Sequence, residues 1–126
     1  IPANPGGIEL WHGGRDVLPN PHLCIGGLPN SIKENAGIII YLDQIDDGKE
    51  LLETLLQAKQ LNIESRRIRV IAALTAKPGL QLIGEKVPDL NIYCACIDSE
   101  ISRNRVIIPG IGNPSLRLNT KIKGLN

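Results

Sequence analysis

Three short apolar runs, separated by segments with helical patterning, constrain the fold of this chain most strongly. The runs span residues 37–42, 68–74 and 91–96. The first run is uninterrupted, which is typical of a strand that is covered on both faces of a sheet, and the other two also predict strands. Residues 48–60 and 78–86 predict two helices between them, because leucines recur on one side of the first and a proline opens the second. This alternation predicts an α/β fold with a mainly parallel sheet flanked by helices.

The segments on either side of this pattern are less regular. Residues 1–21 are rich in proline and glycine, which predicts loop with a short helix near residues 9–14. Residues 23–26 and 105–108 predict two further short strands, the second of them a fourth strand after the three main runs. In parallel sheets, ligands bind beyond the carboxyl ends of the strands. The candidate ligand loops are therefore residues 43–48, 75–79, 98–102 and 109–117.

Composition limits the classes of partner. The chain has 126 residues, of which 42% are hydrophobic, and this predicts one domain over residues 1–126. It has no Phe or Met, so Ile, Leu and Val must fill the core. A formal net charge of +1 gives no electrostatic reason to expect nucleic acid or an anionic membrane as a partner. No apolar run approaches the roughly 20 residues that a membrane-spanning helix needs, so we expect no membrane span.

The three cysteines bear on compartment and metal binding. An odd number without framework spacing favours a reducing compartment, and we expect the cytoplasm or a plastid stroma. Cys94 and Cys96 share one face of a strand, but His12 and His22 are the only histidines. We therefore expect Cys24, Cys94 and Cys96 to be buried or half-buried core residues and predict no metal site. Because the chain begins without a methionine, we expect a processed or incompletely represented product.

A sharper functional signal lies between residues 92 and 113. A strand that ends in Ile97 and Asp98 is followed by a polar loop and by a second apolar run, which breaks at a Pro-Gly-Ile-Gly sequence beginning at Pro109. Because glycine has no Cβ to hold a ligand away, such a break leaves backbone groups free to face a ligand.

With its flanking residues, this stretch resembles the uracil phosphoribosyltransferase family. The likeness covers about residues 66–120 without large gaps. The matching residues are Ala76-Lys77-Pro78-Gly79-Leu80, Val87-Pro88-Asp89, Tyr93, Ala95, Ile97-Asp98, Pro109-Gly110-Ile111-Gly112, Arg117 and Thr120. The resemblance implies a type I phosphoribosyltransferase-like fold. The family's leading helices, and its long hairpin between the positions of Gly27 and Leu28, have no counterpart in this sequence.

The resemblance also implies which loops would hold uracil and phosphoribosyl pyrophosphate. In the family, small and hydroxyl residues let backbone N–H groups wrap a phosphate at a helix N-terminus. The corresponding phosphate loop here contains Asp43, Asp46, Asp47, Gly48 and Lys49. Asp43 matches the family. The carboxylates of Asp46 and Asp47 stand where the family binds the phosphate, and Lys49 could offset part of their charge. Alternatively, Asp46 or Asp47 caps the following helix.

The other two loops depart from the family as well. Pro5 stands where the family has an arginine for pyrophosphate, and Arg15, the nearest basic residue, lies at a different spacing. The implied base-binding loop contains Ile107, Pro109, Gly110, Gly112, Asn113, Pro114 and Arg117. Its two glycines are kept. Asn113 replaces an aspartate, and Pro114 removes a backbone donor.

Changes in all three loops, beside strands and turn prolines that are kept, favour one hypothesis. The chain is a uracil phosphoribosyltransferase-like protein with degenerate ligand loops, weak or inactive in catalysis, that serves as a binding or structural component of a larger assembly. In that case we expect no retained cofactor. The alternative is an active enzyme that converts uracil and phosphoribosyl pyrophosphate to UMP and pyrophosphate in pyrimidine salvage, with magnesium. An unrelated Rossmann-like domain is a third hypothesis. The expected partner is a second copy or another protein, bound through the N-terminal segment or residues 118–126.

Overall fold

The computed structural model describes residues 1–3 and 5–112. The elements in chain order are α1 (Pro5–Gly14), a 3₁₀ turn (Arg15–Val17), β1 (Ile38–Ile45), α2 (Lys49–Gln60), a second 3₁₀ turn (Ser65–Arg67), β2 (Ile68–Ala76), α3 (Lys77–Lys86), β3 (Asn91–Asp98), β4 (Glu100–Ile101) and β5 (Ile107–Ile108). The three main strands and the two helices between them are confirmed. Each main strand continues two or three residues beyond its predicted carboxyl end, so that polar residues such as Asp43 and Asp98 lie within strands.

The three main strands form one parallel sheet in the order β1-β2-β3. Val70 lies in register between Ile40 on one side and Ile92 on the other. Parallel neighbours need a long crossover connection, and α2 and α3 provide it. The predicted α/β class with a parallel sheet and flanking helices is confirmed.

The hydrophobic core lies between this sheet and the crossover helices. Ile40 and Val70 are fully buried, and Leu51, Leu55 and Ala58 of α2 pack in the same cluster. These three positions are four and three residues apart, so they share one side of the helix and place it on the sheet. The opposite face of the sheet is covered at β1, where α1 packs and Tyr41 is buried.

Two strand predictions are wrong. Residues 105–108 do not add a fourth parallel strand, because β5 pairs antiparallel with β4 in a separate two-stranded sheet. The Arg105 N–H donates to the Ser102 carbonyl across a tight turn at 3.0 Å, and such a short connection cannot make a parallel crossover. Residues 23–26 are not a strand, because Gly26 and Gly27 adopt positive φ angles that end an extended run.

The expected burial of the cysteines is found at two of the three positions. Cys24 and Cys94 are half-buried, and Cys94 packs against the core, whereas Cys96 is exposed. The prediction for Cys96 is wrong because β3 is the outer strand of the described sheet and most of its carboxyl half is uncovered. None of the helices in residues 1–3 and 5–112 has the length and apolar character needed to cross a membrane.

Candidate functional site

The candidate site lies at the edge of the sheet where the three parallel strands end. Thr75 is in register with Ile45 of β1 and with Ile97 of β3, so the loops that follow these strands are neighbours. Most of the predicted site residues lie in the loop after β1 and in the segment from β5 onward, which is hydrogen-bonded to the end of β3. We call residues 46–49 the acidic loop and residues 107–112 the glycine loop.

Asp43 lies apart from the acidic loop. The structure places it inside β1, where its Oδ1 accepts a hydrogen bond from the Gln44 N–H at 2.7 Å. Its side chain lies against the backbone of α1, because a Cβ added at Gly6 would meet the Asp43 carboxylate. The expectation that Asp43 belongs to a loop is therefore wrong, since β1 extends through it to Ile45.

The carboxylates of the acidic loop bind its own backbone. Asp46 Oδ1 accepts from the Asp47 N–H at 2.6 Å, and Asp47 Oδ1 accepts from the Lys49 N–H at 3.0 Å. The amides at the start of a helix otherwise lack partners within the helix and attract anions. One such amide, that of Lys49, is already occupied by a side chain of the chain itself, and so is the Asp47 amide in the loop before the helix. The N-cap of α2 is Gly48, which has no side chain to cap the helix, and the carboxylate of Asp47, one residue earlier, binds the first amide of α2.

Gly48 is required by close packing. Its φ is +77°, and a Cβ at this position would lie 2.8 Å from the Gly79 carbonyl oxygen and 3.1 Å from the Gly79 Cα. A residue with a side chain would be strained by both the backbone angle and this contact. The acidic loop is thus pressed directly against the first turn of α3.

Two cationic side chains form ion pairs with the carboxylates of the acidic loop. The Arg105 Nη2 lies 3.1 Å from Oδ1 of Asp46 and 3.1 Å from Oδ1 of Asp47, and the Lys49 Nζ lies 3.3 Å from Oδ2 of Asp47. Desolvation alone would raise the pKa of Asp47, but hydrogen bonds from Lys49 and the charges of Arg105 and Lys49 outweigh it and lower that pKa. The hydrogen bond to Asp46 raises the pKa of Arg105 further. The Asp47 carboxylate therefore stays ionised and bound at neutral pH.

The glycine loop is held to the end of β3 by one carboxylate. The Gly110 N–H donates to Asp98 Oδ2 at 2.8 Å. Gly110 and Gly112 have φ angles of +63° and +74°, and the peptide bond before Pro109 is cis. Ile107 is buried against Leu74 and Ala76, which attaches the loop to β2.

The remaining predicted residues divide into two groups. Asn113, Pro114 and Arg117 lie outside the described residues. Pro5 begins α1. Arg15 pairs with Asp16 at 3.5 Å and lies over the ring of Trp11, so its guanidinium already has partners.

Sequence reasoning missed Arg105. It lies in the turn between β4 and β5 and has a φ of +62°. Nothing local in the sequence distinguishes it from another polar turn residue. Its partners lie 58 and 59 residues away, and only the fold brings them together.

Metal ligands do not gather at this edge. Within residues 1–3 and 5–112, no three His, Cys, Asp or Glu side chains come close enough together to hold a metal ion. The chemistry that the described residues offer is ion pairing and backbone hydrogen bonding.

Comparison with known proteins agrees with this geometry. A family model described as uracil phosphoribosyltransferase matches residues 13–119. The chain is 28% identical over 103 residues to the uracil phosphoribosyltransferase of Synechococcus elongatus, covering 82% of this chain and 48% of that protein. It is 28% identical over 118 residues to the chloroplastic uracil phosphoribosyltransferase of Arabidopsis thaliana, covering 90% of this chain and 38% of that protein.

Two further similarities extend the comparison. The uracil phosphoribosyltransferase of Clostridium kluyveri is 29% identical over 116 residues, which is 92% of this chain and 53% of that protein. Among solved structures, the AQ2163 protein from Aquifex aeolicus superposes with a TM-score of 0.58 at 25% identity, covering 70% of this chain and 42% of that chain. The chain thus spans about half the length of most of the curated relatives it matches.

Proposed function

Because the chain belongs to the uracil phosphoribosyltransferase family, we propose that it uses the family's fold as a binding or structural component of a larger protein assembly, with catalytic turnover weak or lost. Residues 1–126 act in this proposal as one phosphoribosyltransferase-like domain.

The acidic loop carries this proposal. A phosphate bound as in the family needs free amides in this loop and at the start of α2. Asp46 occupies the Asp47 amide in the loop at 2.6 Å, and Asp47 occupies the first amide of α2, that of Lys49, at 3.0 Å. Arg105 and Lys49, the cations nearest to these carboxylates, are already paired with them. A phosphate would have to displace these contacts and then face two carboxylates.

The size of the electrostatic penalty supports the same conclusion. A carboxylate and a phosphate charge about 4 Å apart repel by about 1–4 kcal/mol in wet to half-buried surroundings. Because each 1.4 kcal/mol corresponds to about a tenfold change in affinity, two carboxylates weaken phosphoribosyl pyrophosphate binding by one to several orders of magnitude.

Isothermal titration calorimetry with phosphoribosyl pyrophosphate and magnesium tests the proposal. The unmodified chain is expected to give no binding heat at ligand concentrations up to about 1 mM. An Asp46→Asn/Asp47→Asn variant is expected to give measurable binding heat in the same concentration range, because repulsion is removed.

A matched variant controls for the loss of two charges elsewhere. Glu85→Gln/Asp89→Asn removes two exposed carboxylates before the amino end of β3, far along the chain from the acidic loop. It is expected to behave as the unmodified chain does. Uracil-dependent release of pyrophosphate by the unmodified chain, at about 1 s⁻¹ or faster, would overturn the proposal.

An active enzyme is the second candidate function. Gly110 and Gly112 keep positive φ angles in the glycine loop, and Lys49 and Arg105 place two cations beside the predicted phosphate loop. In that case uracil and phosphoribosyl pyrophosphate are the substrates, and magnesium binds together with phosphoribosyl pyrophosphate. The calorimetric experiment separates the two candidates.

The assembly partner and the compartment are further parts of the proposal. The partner is a second copy of the chain or another protein. The compartment is the cytoplasm or a plastid stroma, in keeping with the three free cysteines and with a chloroplastic relative. Native purification followed by mass measurement of the intact particle identifies the partner.

A further inference from the structure

A cavity lies beside the amino ends of β1 and β2, away from the candidate site. Its volume is about 1060 Å³. Its walls include Trp11 of α1, Ile39 of β1 and parts of the irregular chain between the first 3₁₀ turn and β1. None of its described lining residues belongs to the acidic loop or to the glycine loop. We call it the amino-end cavity.

The charged side chains around the amino-end cavity are mostly basic. Lys33, Arg66, Arg67 and Arg69 line it, whereas Glu34 is the one acidic side chain among the described lining residues. The whole chain has 14 basic and 13 acidic residues, so composition alone does not account for this local excess. Charges of one sign around a concave surface with low-dielectric walls concentrate the electric field and attract groups of the opposite sign.

Two of the arginines are held in place by neutral groups. Arg67 donates to the Ala36 carbonyl from Nε at 3.0 Å and from Nη2 at 2.7 Å, and Nη2 also donates to the Lys33 carbonyl. Nη1 of Arg69 donates to the Arg66 carbonyl at 2.7 Å. A carbonyl oxygen carries no net charge, so these hydrogen bonds fix the guanidinium groups without neutralising them.

The other two cations are exposed and available to a partner. Within residues 1–3 and 5–112, Lys33 forms no ion pair. Arg66 pairs with Glu64, but the side chains are 77% and 56% exposed. Ion pairs between exposed side chains contribute little free energy, so a carboxylate of a partner can replace Glu64 at low cost.

The size and walls of the amino-end cavity favour a segment of protein over a small anion. Its volume lies just above the range of about 300–1,000 Å³ that is typical of small-ligand pockets. Trp11 and Ile39 offer apolar contact that an inorganic anion cannot use. Several N–H groups of Arg67 and Arg69 already bind carbonyls, which leaves fewer for the forked contacts that phosphate groups make with arginine.

We propose that the amino-end cavity binds an acidic segment of a partner protein that carries both carboxylates and apolar side chains. The carboxylates pair with Lys33, Arg66 and Arg69, and the apolar side chains contact Trp11 and Ile39. This assignment rests on the proposed role as a binding component and specifies the chemistry of the partner. It does not involve the acidic loop, so the two proposals can fail separately.

Fluorescence anisotropy with the full chain tests this binding. The probe is a fluorescent peptide in which glutamate and leucine alternate, and the comparison peptide has lysine in place of glutamate. The unmodified chain is expected to bind the acidic peptide saturably below about 1 mM and the basic peptide at least about tenfold more weakly.

Two double variants locate the binding. Lys33→Gln/Arg69→Gln removes two cations from the cavity and should weaken binding of the acidic peptide at least about tenfold. Lys77→Gln/Arg103→Gln removes two exposed cations outside the cavity and should change it by less than about twofold. If Arg69→Gln unfolds the chain, Lys33→Gln/Arg66→Gln, at two exposed positions, is expected to give the same loss.

Three results would overturn the proposal. The first is no saturable binding of the acidic peptide by the unmodified chain, and the second is an equal loss in the Lys77→Gln/Arg103→Gln variant. The third is full displacement of the peptide by inorganic pyrophosphate at the peptide's own concentration, because the cavity would then be a site for small anions. Uracil-dependent release of pyrophosphate would overturn the proposed loss of catalysis, and peptide binding does not report on it.

Discussion

The acidic loop and the glycine loop lie at the same edge of the sheet but are stabilised in different ways. The acidic loop binds its own amides through Asp46 and Asp47 and draws Arg105 onto the same carboxylates. The glycine loop keeps its glycines and depends on a single carboxylate, that of Asp98, for its hydrogen bond to the end of β3.

This difference shows two ways in which a ligand loop can diverge. In the acidic loop, side chains of the loop itself supply hydrogen-bond acceptors for backbone amides. Where positive φ angles are kept, the backbone path survives. The acidic loop is therefore the part of the candidate site whose carboxylates are most fully engaged by the chain itself.

The largest expected effect comes from the packed glycine of the acidic loop. Gly48→Ala should lower the free energy of unfolding by about 3 kcal/mol, because a positive φ and a contact with the Gly79 backbone are both penalised. Gly112→Ala in the glycine loop is the matched control. Its φ is +74°, but a Cβ added there meets no atom of residues 1–3 and 5–112 within 4 Å, so a loss of about 1 kcal/mol is expected. Urea unfolding measures both, and equal losses would contradict the packing argument.

An intermediate effect is expected from the carboxylate of the glycine loop. Asp98→Ala leaves the Gly110 N–H without its acceptor, which should cost about 1–2 kcal/mol of unfolding free energy. Asp89→Ala, at an exposed carboxylate in the turn before β3, should change it by less than about 0.5 kcal/mol. Urea midpoints and the exchange rate of the Gly110 amide provide the measurement. If that amide stays equally protected in both variants, Asp98 does not hold the loop.

The smallest effect is a pH dependence in the acidic loop. Because the pKa of Asp47 is lowered in the folded chain, its contribution to stability is fully present above the unfolded carboxyl pKa of about 3.9 and is lost as pH falls through the lower folded value. Asp47→Asn should therefore be less stable than the unmodified chain at pH 6, and the gap should close towards pH 3 and below.

Urea midpoints measured over this pH range test the assignment. Arg105→Gln, which removes one of the charges that lower the pKa of Asp47, should show a weaker pH dependence than the unmodified chain. A gap between Asp47→Asn and the unmodified chain that stays constant from pH 6 to pH 3 would refute the role of Asp47.

Much of the fold was predictable because its signals are local. The recurring leucines of residues 48–60 predict an amphipathic helix, and the structure buries Leu51 and Leu55 of α2 in the core. The ends of the strands were harder to predict. Asp43 and Asp98 are polar, which suggests loop, but β1 and β3 extend through them. The partner of β5 was also missed, since a two-residue strand carries too little pattern to choose one.

The candidate site was predictable in outline only. The resemblance indicated Asp46, Asp47 and Gly110, but not that the first two bind their own loop and Arg105. Such contacts depend on loop paths, and an unremarkable arginine in a polar turn carries no local sign of its partner.

By itself, the sequence determined the order of strands and helices, the aliphatic core and the family, because each of these depends on patterns within a few turns of chain or on residues matched in order. The tertiary structure alone decided that Arg105 meets Asp47 and that Asp98 holds Gly110. Those contacts join residues distant in sequence, and only the packing of β4 and β5 beside the parallel sheet brings them within hydrogen-bonding distance.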